Sequence, residues 1–324
     1  MRGVLYEFRD GRIHTVAIQF SAAHHCNLRC AHCSHLSPYV PRRLPSAKSF
    51  AAHLQQLATV IRARTLVLLG GEPLLNPELP AMARLARESG IARTVTVTTN
   101  GLLLPTVTDD LWRYVDVVRV SLYPQTPPSE AVLEAAAAQA RTHRVRLIVE
   151  QVREFRTAAV TSPHPMDLWT RIIYSTCGVA HRQHCHMFSD GWLYKCSMPV
   201  NLPGYLDRLG LDGYTPSADG VDLHAPGDLL ARVREYLFAR QPLEACRYCL
   251  GWLGRRVPQR QLSAGEQNSP GDRPVRRATH LSYGRALYAL ARCAKWATVD
   301  RYLTRPARPR RDHGRSLSNV PLGP

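Results

Sequence analysis

Thr15–Phe20 (TVAIQF) is a short apolar run rich in β-branched residues and reads as a buried first strand. Between Lys48 and Arg64 the apolar residues Leu54, Leu57, Val60 and Ile61 recur at helical spacing, which predicts a helix. Thr65–Leu69 (TLVLL) predicts a second strand, ending in Gly70-Gly71-Glu72-Pro73. The alternation continues with a helix near Pro80–Ser89 and a strand at Thr94–Thr99, closed by Asn100-Gly101. A short helix at Asp109–Tyr114 precedes a strand at Val115–Leu122; an Ala-rich helix at Ser129–His143 precedes one at Val145–Glu150. Arg171–Tyr174 is read as the last strand. Strands alternating with helices at about 30 residues per unit predict a parallel α/β sheet or barrel. Active sites of such barrels lie at the C-terminal strand ends.

Past Tyr174 the pattern changes. Asp190-Gly191 makes a good hairpin turn, with Met187–Phe188 and Trp192–Tyr194 as its arms. A Pro/Gly/Arg-rich linker follows from Arg255 to about Ala278, then helical spacing over Tyr283–Leu303, and Arg305–Pro324 is expected to be disordered. Three parts result: residues 1–175, 176–254 and 255–324. The 324 residues are 45% hydrophobic and 21% charged, a globular composition. The formal charge of +17 is concentrated in residues 251–324, which hold 15 Lys and Arg against 4 acids. No aromatic interleaving or nucleic-acid motif accompanies this basic stretch, so a solvated tail is expected and nucleic acid is not an expected partner. No apolar run approaches the ~18 residues of a membrane span, and no secretory leader is evident, so a cytoplasmic location and no membrane are expected. Nine cysteines in a reducing compartment point to metal ligation, not disulfides.

Three of these cysteines stand in one short stretch, Cys26-Asn-Leu-Arg-Cys30-Ala-His32-Cys33. A 4Fe–4S cluster normally takes four thiolates, and the next cysteine is Cys177. The spacing alone also admits a structural zinc site or buried thiols. With Gly70-Gly71-Glu72-Pro73 about 40 residues on, after a strand, the chain resembles the radical S-adenosylmethionine (radical SAM) enzymes over roughly residues 15–175. That resemblance implies a partial (β/α)6 TIM-type barrel. It further implies a 4Fe–4S cluster on Cys26, Cys30 and Cys33, with AdoMet (S-adenosyl-L-methionine) at the open iron and cleavage to a 5′-deoxyadenosyl radical. Gly70, Gly71, Glu72 and Pro73 match the element that receives the AdoMet amino group. Asn100 and Ser121 match positions facing its ribose or carboxylate. His32 departs from the aromatic residue usual beside the third cysteine, though its flat ring keeps adenine contact open.

The later cysteines Cys177, Cys185, Cys196, Cys246 and Cys249, spaced about the Asp190-Gly191 turn, resemble the start of a SPASM or Twitch extension. This resemblance implies a small C-terminal Fe–S extension with one auxiliary 4Fe–4S cluster, held by four of the five cysteines. One assignment takes Cys177, Cys185, Cys196 and Cys246 as ligands and frees Cys249 as a catalytic thiol. The other, patterned on Twitch proteins that oxidise an alcohol, takes Cys177, Cys196, Cys246 and Cys249 and leaves Cys185 over. His184 and His186 are expected to face solvent, and Cys293 to be packed in its helix. The first assignment implies an epimerase of an aminoglycoside or aminosugar in antibiotic biosynthesis, with Cys249 returning hydrogen to the substrate radical. Under the second, Cys185 would be the donor instead; a dehydrogenase of a cyclitol or sugar alcohol is the alternative, and a peptide-modifying maturase and an iron–sulfur regulatory or RNA-modifying protein stand behind both. An electron donor such as flavodoxin or ferredoxin is the expected partner. Glu72, Asp109, Asp110, Glu150, Asp167 and Asp190 are the acids that could meet a cationic substrate.

Overall fold

A computed structural model describes residues 6–164, 167–211, 213–263, 265–266 and 287. The chain opens with a hairpin, β1 (Glu7–Arg9) and β2 (Arg12–Ala23), turned by Asp10-Gly11 with φ of 53° and 69°. Such paired positive φ values match the twist of a two-residue hairpin. Helix α1 (Ala47–Val60) is capped by Ser46, whose Oγ accepts from Ser49 N at 3.1 Å. It leads into β3 (Ile61–Gly70), α2 (Leu79–Glu88), β4 (Ala92–Thr99), α3 (Asp109–Tyr114) and β5 (Val117–Leu122). Then come α4 (Glu130–Thr142), β6 (Arg146–Gln151), β7 (Glu154–Arg156) and α5 (Asp167–Ser175). The remainder comprises β8 (Cys185–Ser189), β9 (Trp192–Tyr194), α6 (Met198–Arg208), β10 (Gly220–Asp222), α7 (Leu229–Phe238) and β11 (Arg256–Pro258).

The main sheet runs β10-β9-β8-β2-β3-β4-β5-β6, with β1 added to β2. From β8 to β6 the pairings are parallel; β9 and β10 complete it as an antiparallel edge. Two expectations need correction. Arg171–Tyr174 is helix, not strand: Thr170, Ile173 and Tyr174 are buried at the three- and four-residue spacing of α5, so the longer period overrides the four β-prone residues. The sixth parallel strand is instead β8, which pairs with β2 on the opposite edge from β6. The hairpin expected in the extension is thus hydrogen-bonded into the main sheet.

Packing follows from that pairing. Phe188 of β8 sits 5.0 Å from Phe20 of β2 and 5.8 Å from Phe50 of α1, ring centre to ring centre. All three are buried in the main core with Leu54, Leu57, Leu66 and Leu68. A second core gathers Leu36 and Tyr39, just past the CxxxCxxC stretch, against Leu202 and Tyr205 of α6 and Tyr248. Cys196, Cys246 and Cys249 border this second core. Among the described residues no helix is long and apolar enough to cross a membrane. Cys293, the helix expected over Tyr283–Leu303 apart from Leu287, and the basic tail from Arg305 lie outside the described residues.

Candidate active site at the strand ends

The cysteine loop leaves the C-terminal end of β2, and the turn after β3 grips it. Gly71 N donates to Ala23 O at 2.7 Å and Glu72 N to His25 O at 3.0 Å. The approach is so close that a Cβ on Gly70 would collide with the Ala23 carbonyl, and one on Gly71 with that of His25. Gly70 also holds a φ of 139°, open to glycine alone. Pro73 then starts a one-turn 3-10 segment, Pro73–Leu75.

Glu72 is buried, and its carboxylate accepts from Thr99 Oγ1 at 2.6 Å, Asn100 N at 2.8 Å and Leu74 N at 3.1 Å. Burial raises its pKa to about 6, while those donors work to lower it. The acid thereby braces the end of β4 instead of offering a free carboxylate. Asn100 in turn reaches the cysteine loop, its Nδ2 donating to Asn27 Oδ1 at 2.7 Å and to Cys26 Sγ at 3.7 Å. His32, at φ 58°, turns the loop between Cys30 and Cys33. The thiols lie within electrostatic range of each other: burial pushes Cys26 up to about 12, with Cys33 and Cys30 adding to the rise. Burial also raises Cys30.

Two features escaped sequence reasoning. Tyr123, just past β5, is raised by burial, with Cys33, Cys30 and Cys26 adding to the rise, so it lies within electrostatic range of the three thiols. Ser121 works to lower it, as residues two apart at a strand end share a face. The alternation of β5 could have signalled this. Gln259 and Gln261 both donate from Nε2 to Cys30 Sγ, at 3.4 and 3.3 Å. They fall in the stretch read as linker, and no motif marks them. Beside Cys26 opens a cavity of about 710 Å³, lined in part by Asn27, Arg29, Tyr39, Arg42 and Asp207.

The second thiol group lies beyond α5. Burial raises Cys177, Cys196, Cys246 and Cys249. Cys196 also feels Cys177 and Cys249, and Cys246 feels Cys196, Cys249 and Cys177. Cys249, held at about 12, feels Cys177 and accepts from Gly251 N at 3.1 Å. Lys195 Nζ, lowered to about 8 by burial, donates to Tyr174 Oη at 2.8 Å and Ala239 O at 2.6 Å beside this group. Cys185 stands outside it. Its shift has burial as sole cause, and it registers with Ala17, six residues before the end of β2. At about 3.3 Å per residue that is about 20 Å along the strand from where the cysteine loop departs. His184 and His186 are buried, not solvent-facing; His186 meets Lys195 O at 3.2 Å and Tyr6 Oη at 2.9 Å.

Fold and site together define a mixed α/β protein with a parallel sheet, whose cysteine loop and glycine turn meet at the C-terminal strand ends. Residues 21–173 match the radical SAM superfamily, and this part of the chain is a radical SAM superfamily domain. The GTP 3′,8-cyclase of Chlorobaculum tepidum is 36% identical over 87 residues, covering 26% of this chain and 26% of the cyclase. GTP 3′,8-cyclase 1 of Mycobacterium tuberculosis is 34% identical over 102 residues, covering 29% and 28% respectively. The chain thus matches only about a quarter of the length of these curated relatives. The solved structure of BtrN with AdoMet and 2-DOIA aligns over 72% of this chain and 92% of its own, at 14% identity and a TM-score of 0.44. That of anSMEcpe with bound AdoMet aligns over 72% and 82%, at 12% identity and a TM-score of 0.43.

Such a domain implies a 4Fe–4S cluster and AdoMet. Among the described residues no three His, Cys, Asp or Glu side chains stand close enough together to hold a metal ion. The donor set nonetheless fits: three thiols on one loop within electrostatic range of each other, with the glycine turn packed against the backbone that leads into that loop.

Proposed function

We propose that the protein is a radical SAM enzyme with one auxiliary 4Fe–4S cluster, acting on a carbon–hydrogen bond of a sugar, aminosugar or cyclitol. When bound, the first cluster and AdoMet supply a carbon radical that removes a hydrogen atom from substrate. Cys26, Cys30 and Cys33 would hold that cluster. Gly70 and Gly71 would hold the cysteine loop against the end of β3, Glu72 fixes the turn carrying Asn100, and Tyr123 and Ser121 stand on the β5 side. Cytoplasmic flavodoxin or ferredoxin would deliver the electron.

The fate of the substrate radical separates two readings. Grouping of Cys249 with Cys177, Cys196 and Cys246, none of which acts on Cys185, supports the four-thiol ligand set without Cys185. Among the described residues that set would leave no donor thiol beside the substrate, which favours oxidation of a cyclitol or sugar alcohol, for which a cluster on these four thiols would supply a one-electron acceptor. The epimerase reading, with Cys249 returning hydrogen to an aminoglycoside carbon, draws on the same proximity if Cys249 borders the cluster without ligating it. Charge weighs against a polycationic substrate. Glu72 is occupied internally, Asp190 pairs with Arg43, Glu150 with Arg119 and Asp110 with Arg113.

The test is Cys249→Ala, assayed for iron and for products from AdoMet and candidate aminoglycosides or cyclitols in deuterated water. As a ligand, Cys249 should take up to half the iron with it when removed, and the wild type should release a ketone without solvent deuterium. Full iron, continued 5′-deoxyadenosine release and loss of a deuterium-labelled epimer would make Cys249 the donor instead.

A further inference from the structure

Residues 259–262 anneal to the cysteine loop from outside the matched domain. Strand β11 pairs antiparallel with β7, and Gln259 N extends the pairing to Arg153 O at 2.8 Å. The chain then runs beside Cys30. Ala31 N donates to Arg260 O at 2.9 Å, Leu262 N to Arg29 O at 2.7 Å, and Gln261 faces Cys30 across an antiparallel bridge. Gln261 N is itself held by Gln125 Oε1 at 2.7 Å. In an extended strap, side chains two apart share a face, so Gln259 and Gln261 both reach the same sulfur, at 3.4 and 3.3 Å.

The amides are oriented, not merely near. Gln261 Oε1 accepts from Arg29 N at 2.7 Å, which turns its Nε2 toward Cys30. Gln259 is buried and its Oε1 has no partner among the described residues, so its side chain's polar engagement there is the donor on the sulfur. Turning that amide over would set an oxygen against the sulfur and strand the N–H groups. A buried amide that leaves its acceptor unmet to aim its donor at a thiol costs stability, which points to a function for the donor.

We infer that Gln259 and Gln261 are positioning residues that raise the reduction potential of the iron–sulfur cluster ligated by Cys30. The inference rests on the cluster assignment above. One-electron reduction adds negative charge, and amide dipoles pointing at a ligand sulfur stabilise the more negative state; hydrogen bonds to ligand sulfurs are a recognised lever on such potentials. The strap thereby couples the segment after the second thiol group to the ease with which the first site accepts its electron.

The test is a redox titration with dithionite and mediators, following by electron paramagnetic resonance the signal that changes on adding AdoMet. Gln259→Leu removes one donor and an unmet acceptor. Gln261→Glu keeps an acceptor for Arg29 N but loses the donor. Each should lower the equilibrium constant for reduction by about fivefold or more, a tenfold change being about 59 mV for one electron. Iron content should stay at the wild-type level. Unchanged midpoints in both variants, with the wild type holding its cluster, would overturn this inference alone. Loss of the cluster from both variants, with circular dichroism unchanged, would overturn it too, because the amides would then be supports of the loop. A wild-type chain that binds no cluster through Cys26, Cys30 and Cys33 would overturn both this inference and the assignment beneath it.

Discussion

Glu72 shows at the scale of one residue how burial and internal hydrogen bonds set the chemistry of a motif carboxyl. Its burial raises the carboxyl to about 6 from an ordinary value of 4.5, so folding favours the protonated form. The associated stability is present in full below pH 4.5 and fades as the pH rises through about 6, amounting to about 2 kcal/mol. Glu72→Gln lacks this titration. The stability of the wild type relative to the variant, from urea unfolding, should therefore be about 2 kcal/mol greater at pH 4.5 than at pH 7; a pH-independent gap would contradict it. Gly71 permits a second test. Gly71→Ala forces a Cβ against the His25 carbonyl, and AdoMet affinity should fall at least about tenfold by calorimetry, about 1.4 kcal/mol. The glycine pair, Asn100 and the three loop cysteines were legible because spacing and strand ends carry their meaning. Tyr123, Gln259 and Gln261 were not, because long-range register brings them to the thiols and no local pattern records it.

At the scale of elements, periodicity located nearly every strand and helix between β2 and β6. It failed at α5, where Arg-Ile-Ile-Tyr has strand composition but burial follows a helical face. It also missed the partner of the hairpin. Local signals identify the Asp190-Gly191 turn, yet nothing local says that β8 joins β2. The pairing makes the hairpin part of the main core. Phe188→Ala should consequently cost about 3–5 kcal/mol of total stability and keep a single unfolding transition. A loss under about 1 kcal/mol, or a separate early transition, would show the hairpin to be an independent unit.

For the whole molecule, the parallel sheet collects loop, glycine turn and Tyr123 at one end, while the second thiol group and the glutamine strap follow in later sequence. Of the basic stretch that dominates the net charge, residues 259–262 enter this arrangement as the strap. The central claim is that two separate thiol groups each hold a cluster, and that the first carries the AdoMet chemistry. Iron counting after anaerobic reconstitution, together with 5′-deoxyadenosine release, tests it most directly. We expect about eight irons per chain in the wild type and in Cys185→Ala. Joint replacement of Cys26, Cys30 and Cys33 by Ala should leave about four irons and no 5′-deoxyadenosine. AdoMet cleavage by that triple variant, or a wild type that never exceeds about four irons, would contradict the claim.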